Sequence, residues 1–114
     1  MAFNETLAER IRFYFIDQYF YTVEEKKMMG GLTFMLNGKM CVGVFKDNLM
    51  CHIDPAEHAE AIEENGCRTM EFNNKDLHGY VLIEEEALHK TETFAFWMQK
   101  SIAFNPRAKA SKKK

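Results

Sequence analysis

Four histidines and three cysteines are the residues of this 114-residue chain best suited to metal or nucleophilic chemistry. His52, His58, His78 and His89 stand in no HxH or HxxxH spacing, and none is spaced from a cysteine as in a zinc finger, so no metal site is assigned. His58 and His89 are expected on helix surfaces among glutamates. A thiolate nucleophile needs an imidazole within hydrogen-bond reach and a third group to orient it. Cys41 and His52 share a sheet face when the strands are laid out by hairpin arithmetic. Their neighbours would be Phe34, Phe45 and Met50, which raise a thiol pKa rather than lower it. A buried structural Cys41 is the main expectation, and a small-ligand or cysteine-dependent site at Cys41/His52 is an alternative. Gly30-Gly31 has neither the spacing nor the following helix of a phosphate-binding loop. A glycine pair inside a strand instead marks a bulge or a close backbone approach. Neither catalytic residues nor a cofactor is assigned.

The charge distribution narrows the partners. The formal net charge is −2, but Arg107, Lys109, Lys112, Lys113 and Lys114 fall within the last eight residues, leaving the body before them at −7. An acidic body is a poor match to phosphate backbones, which are held by Lys and Arg. The tail at 107–114 reads mainly as a solvated end, with contact to an anionic partner such as nucleic acid as the alternative. Apolar residues at 46% and charged residues at 28% are those of one soluble domain, expected over residues 1–106. No run reaches the ~18 apolar residues of a membrane span. The opening residues lack the basic and apolar regions of a secretory signal. Three cysteines with no CxxC point to a reducing cytoplasm and no disulfide framework.

Elements that would position these residues follow from periodicity. Leu7, Ile11, Tyr14 and Phe15 predict a helix over 4–20, capped by Asn4, whose many aromatics should bury more than one side. Strands are expected at 27–36, 39–46 and 49–53, turning at Asn37-Gly38 and, more weakly, at Asp47-Asn48. Paired residue numbers then sum to about 75 and about 95 across the two turns, by hairpin register. That register puts Phe45 opposite Gly30 and Val44 opposite Gly31. It also sorts Leu32, Phe34, Leu36, Cys41, Phe45, Met50 and His52 onto one face, and Thr33, Met35, Met40, Val42, Val44, Cys51 and Ile53 onto the other. Both faces are apolar, so each needs a cover. Asp54-Pro55-Ala56-Glu57 starts a second helix, with Glu57 closing a capping box, and Gly66 follows its end near Asn65. Strands around Met70–Phe72 and Tyr80–Ile83, a short turn over 84–88 and a helix over 91–104 complete the order α-β-β-β-α-β-β-α. The class is α+β, with an antiparallel sheet of about five strands.

The run EKKMMGGLTFMLNGKMCVGV, starting at Glu25, resembles the opening motif of the TfoX/Sxy N-terminal domain family, lysine-methionine-phenylalanine-glycine-glycine before a hairpin. The resemblance continues through DNLMCHIDP, CRTMEFNNKDLHGYVLIEEEAL and WMQKSIAFN. Met29 stands where the family has phenylalanine, His52 where it often has arginine, and His78 where it often has lysine. The resemblance implies a compact α+β domain with a secretion-chaperone-like layout and a tendency to dimerise. Full-length relatives regulate competence genes and add a C-terminal domain absent from this sequence. It implies a non-enzymatic regulatory or protein-interaction module, with Lys27, Met28, Gly30, Gly31, Phe34, Phe45, Met50, His52, Gly79 and Tyr80 as candidate contact residues. An unidentified protein partner is expected, and a homodimer through the face carrying Leu32, Phe34, Leu36, Phe45 and Met50.

Overall fold

The computed structural model describes residues 3–28 and 30–108. In chain order these form helix α1 (Glu5–Asp17), strands β1 (Glu24–Met28), β2 (Gly31–Leu36), β3 (Lys39–Phe45) and β4 (Asn48–His52), and short helix α2 (His58–Ala61). Strands β5 (Cys67–Phe72) and β6 (Lys75–Ile83) and helix α3 (Thr91–Phe104) follow. One antiparallel sheet runs β1-β2-β3-β4-β6-β5. The class is α+β as expected, with six strands rather than about five.

The extra strand comes from the glycine pair. The stretch 27–36 divides between Met28 and Gly31, where Gly30 takes φ +79, and Met28 pairs with Gly31. Gly31 is the close approach: a Cβ there would lie 2.2 Å from the Val44 carbonyl oxygen and 3.2 Å from the Phe45 ring. Phe45 thus lies over Gly31, not Gly30.

Register also departs from simple hairpin counting. Asn37 (φ 58) and Gly38 (φ 74) form the expected tight turn, with Leu36 opposite Lys39. The ladder then shifts between Phe34 and Met35, so that Phe34 faces Val42 and Leu32 faces Val44, with Cys41 the extra residue of a bulge. The next turn uses Lys46 in the left-handed region (φ 59), which pairs Phe45 with Asn48 and Val42 with Cys51. The bulge at Cys41 moves Val42 and Val44 onto the face of Leu32 and Phe34, correcting the expected sorting, whereas the second shift slides the β3–β4 pairing by two residues and leaves its faces as counted.

Helices cover that first face. Leu32, Phe34, Leu36, Val42, Val44, Leu49, Cys51, Ile53, Val81 and Ile83 pack with Leu7, Ile11 and Phe15 of α1 and with Phe94, Trp97 and Met98 of α3. Asn4 caps α1 by accepting from the Leu7 N–H at 3.0 Å, as expected. The helix buries a single stripe, however, and leaves Phe13, Ile16, Tyr19 and Tyr21 exposed beside and beyond it. Asp54 accepts from the Ala56 N–H, but Glu57 reaches Lys100 of α3 instead of closing a capping box. Helix α2 is one turn long and ends well before Asn65. The α3 bounds match expectation, and Asn73 (φ 56) and Asn74 (φ 63) make the turn between β5 and β6.

The second face carries a layer drawn from the strands themselves: Met35, Met40, Met50, Met70 and Leu82, flanked by Met28, Phe45, Leu77 and Tyr80. The unbranched methionines fill this layer closely enough that all five central residues are less than a tenth exposed. The expected dimer patch does not form. Leu32, Phe34 and Leu36 lie under the helices, and Met50 is buried within the single chain. Among the described residues, no helix is long and apolar enough to cross a membrane.

Candidate interaction groove

The β1–β2 hairpin stands beside α1, and the space between them is a groove of about 520 Å³. Its walls bring together four sequence candidates, Lys27, Met28, Gly30 and Gly31, with Phe3, Glu5, Arg12, Glu25 and Leu32. Phe3 is set by a bridge to Lys46 and by the Asn4 N–H bonding the Lys46 carbonyl at 2.8 Å. Arg12 joins the helix to β1 with a two-point bond to Glu25, Nε to Oε2 at 2.6 Å and Nη2 to Oε1 at 2.9 Å. Glu9 adds a third contact at 3.5 Å. The Glu25 hydrogen bond, set against desolvation, raises the Arg12 pKa and keeps the guanidinium charged. Phe3 and Leu32 give the groove apolar lining, and Glu5, Arg12, Glu25 and Lys27 give it charged lining.

The other candidates fall elsewhere. Phe34 is core, its ring tilted 32° to that of Phe15 with centroids 6.2 Å apart. Phe45 and Met50 belong to the methionine layer. His52 lies flat on Tyr80, with ring centroids 4.1 Å apart and a 6° tilt, and meets the Phe104 ring edge-on at 5.2 Å. Its Nδ1–H donates to the Met40 carbonyl at 3.3 Å, and burial lowers its pKa against that bond. Arg107 pairs with Asp54 at 2.9 Å and caps the Phe104 ring. Lys109, Lys112, Lys113 and Lys114 lie outside the described residues.

Cys41 and His52 do not meet. Cys41 sits in the helix-side core, whereas His52 stacks on Tyr80 at the edge of the methionine layer. Burial pushes the Cys41 thiol up to about 12 and the Cys67 thiol up to about 11, and raises Cys51 as well. All three thiols are free and buried. Among the described residues, no group of three or more His, Cys, Asp or Glu is placed to hold a metal ion.

His58 was expected on the surface and is instead buried. Its Nδ1 accepts the Gly79 N–H at 2.8 Å, so Nε2 carries the proton and donates to Thr69 Oγ1 at 2.9 Å. The exposed His78 ring stacks on it at 4.6 Å. One signal was available: His58 and Ala61 are three apart and share the buried stripe of α2. Gly79 is held at φ +90, and a Cβ there would press on Pro55 and the Ile53 carbonyl at 3.3 Å.

Among curated proteins and among solved structures, none matches this chain. The family model for the TfoX N-terminal domain matches residues 16–105, from the last turn of α1 to just beyond α3, and takes in the whole β1–β2 hairpin wall of the groove. The chain therefore belongs to the TfoX N-terminal domain family.

Proposed function

We propose that this chain is a non-enzymatic regulatory module, of the competence-regulator kind its family suggests, that works by holding another protein. The observation that carries this reading is the placement of the lysine-methionine-x-glycine-glycine motif. Lys27, Met28 and Gly30 line an open groove, while Gly31 serves the sheet beneath it. A motif needed for packing alone would be buried throughout, whereas Lys27 and Gly30 are exposed. Free, buried thiols agree with a reducing cytoplasm as its setting.

The test is affinity capture from native cells with the full chain as bait, in parallel with a Lys27→Glu/Met28→Ser variant of unchanged circular dichroism. The wild-type bait should retain specific proteins that the variant loses. Identical retention by both baits would refute a role for the groove.

A further inference from the structure

We propose that the trough between α2 and the outer face of α3, centred on Phe96, is a docking surface for the chain's own basic segment, residues 109–114. This surface is separate from the groove beside β1 and does not depend on the reading given to that groove.

Phe96 is the starting point. Glu92, Phe96, Gln99 and Ala103 form the outer stripe of α3, and Phe96 is its one large apolar member, 46% exposed. The Lys100 ammonium lies 5.5 Å from the Phe96 ring centroid, so the ring already receives one lysine. Three cavities adjoin at this ring. The first, about 390 Å³, runs from Arg107 to Phe96 and Lys100. The second, about 250 Å³, runs from Phe96 and Lys100 to Glu60 and Glu64. The third, about 530 Å³, runs from Glu64 and Phe96 to Glu86 and Glu92. Shared residues join them into one trough, which starts beside Arg107, one residue before the last described residue, Ala108.

Charge along the trough selects the occupant. Of the six carboxylates on its lining, Asp54 pairs with Arg107 and Glu57 with Lys100. Glu60, Glu64, Glu86 and Glu92 make no ion pair among the described residues. Lys90 is the one further lysine or arginine on the lining, so an excess of three negative charges is left along it. Residues 109–114 carry Lys109, Lys112, Lys113 and Lys114 and no acidic side chain. The segment and the trough are therefore complementary, whereas the same trough repels phosphate and other anions.

The segment also has the reach. From Phe96 to Phe104 the helix rises about 12 Å, and the six residues of 109–114 span up to about 20 Å when extended. Turned back along α3 from Ala108, the segment brings Lys112, Lys113 and Lys114 level with Phe96, Glu60 and Glu64. Exposed ion pairs are weak singly, but a tether supplies an effective concentration on the order of millimolar, which a separate molecule does not match at ordinary concentrations. Docked in this way, the lysines are withheld from any anionic partner, which must first displace them from the trough.

A nitroxide attached at Ser111→Cys of the full, isotopically labelled chain tests this; the three native thiols are buried and leave position 111 as the site of attachment. The label broadens the amide signals it approaches. Signals of Glu60, Glu64 and Phe96 should be broadened at low ionic strength and restored at about 1 M salt, where screening acts within ~3 Å. Glu60→Gln/Glu64→Gln should cut the broadening at least about twofold, through the loss of two exposed ion pairs. Glu63→Gln/Glu71→Gln, the same charge change at exposed residues off the trough lining, should leave it in place. Unbroadened trough signals, broadening that salt leaves intact, or equal broadening in the two double variants would overturn the proposal. Broadening of an isotope-labelled chain by a nitroxide on a second chain mixed with it would also overturn it, assigning the trough to a second copy. None of these outcomes touches the capture test of the groove.

Discussion

Replacing Gly31 by alanine should cost far more stability than replacing Gly30, although the two glycines are adjacent. At Gly30 there is open space around an added Cβ, and the penalty is conformational, because φ is +79. Left-handed backbone costs a non-glycine residue about 1–2 kcal/mol. At Gly31 the added Cβ would lie 2.2 Å from the Val44 carbonyl oxygen, inside the 3.0 Å that real Cβ atoms keep. Strands β2 and β3 must therefore part by about 0.8 Å at this point, since the packed interior leaves no slack. A ladder bond stretched from ~2.9 Å by that amount is no longer a hydrogen bond. Leaving its buried partners unsatisfied costs about 1–3 kcal/mol, and the Phe45 ring over Gly31 must shift as well. The expected totals are about 1 kcal/mol for Gly30→Ala and about 2–4 kcal/mol for Gly31→Ala. Urea unfolding followed by the fluorescence of Trp97, which is buried and is the chain's one tryptophan, measures both. Gly30→Asn should recover part of the Gly30→Ala loss, since asparagine tolerates that backbone region. Equal losses for the two alanine variants, or the reverse order, would refute the assignment of one glycine to the turn and the other to the strand contact.

Further outcomes are expected at three places. Desolvation, and secondarily His78, lowers the folded-state pKa of His58 against an opposing pull from Asp76. Its contribution to stability is therefore complete above the unfolded value near 6.5 and declines as pH falls through that value and the lower folded one. His58→Asn, which keeps an acceptor toward Gly79, should flatten the unfolding free energy between pH 7 and pH 5, and an unchanged slope would count against it. With Cys41 held up to about 12, native protein at pH 7.5 should leave this thiol unlabelled by iodoacetamide until it is unfolded; rapid native labelling would show that the helix-side core is open. Arg12→Ala should cost about 0.5–1 kcal/mol, because the Glu25 pair is partly exposed. A double-mutant cycle with Glu25→Gln should place most of that loss in the pair itself.

What was legible in the sequence was local. The α3 bounds follow from a helical stripe ended by Asn105-Pro106, and Asn37-Gly38 and Asn73-Asn74 are residue types that accept the left-handed backbone of tight turns. Lys46 takes the same region with no compositional sign of it, so the β3–β4 register could not be counted from the sequence. The bulge at Cys41 is equally silent, because a cysteine among valines reads as ordinary strand. The bulge alone reversed the face assignment and removed the expected dimer patch, since the Lys46 turn slides its pairing by an even two residues. Four of the nine lining residues were readable, because Lys27, Met28, Gly30 and Gly31 fall within one short run of sequence. The facing wall is Phe3, ahead of α1, with Glu5 and Arg12 of the helix, and nothing local records that the helix lies there. The burial of His58 depends on the return of Gly79, twenty-one residues later.

The strand order has a kinetic consequence. Every pairing in the sheet joins sequence neighbours except β4 with β6. The four-strand meander β1–β4 and the β5–β6 hairpin can therefore each zip from their own turns on the microsecond scale of isolated hairpins. Joining them requires residues 53–79 to close into a loop before Cys51 meets Val81 and His52 meets Tyr80, so loop-closure entropy is concentrated at that one seam. Docking of the hairpin onto β4 is then the expected slow step of folding.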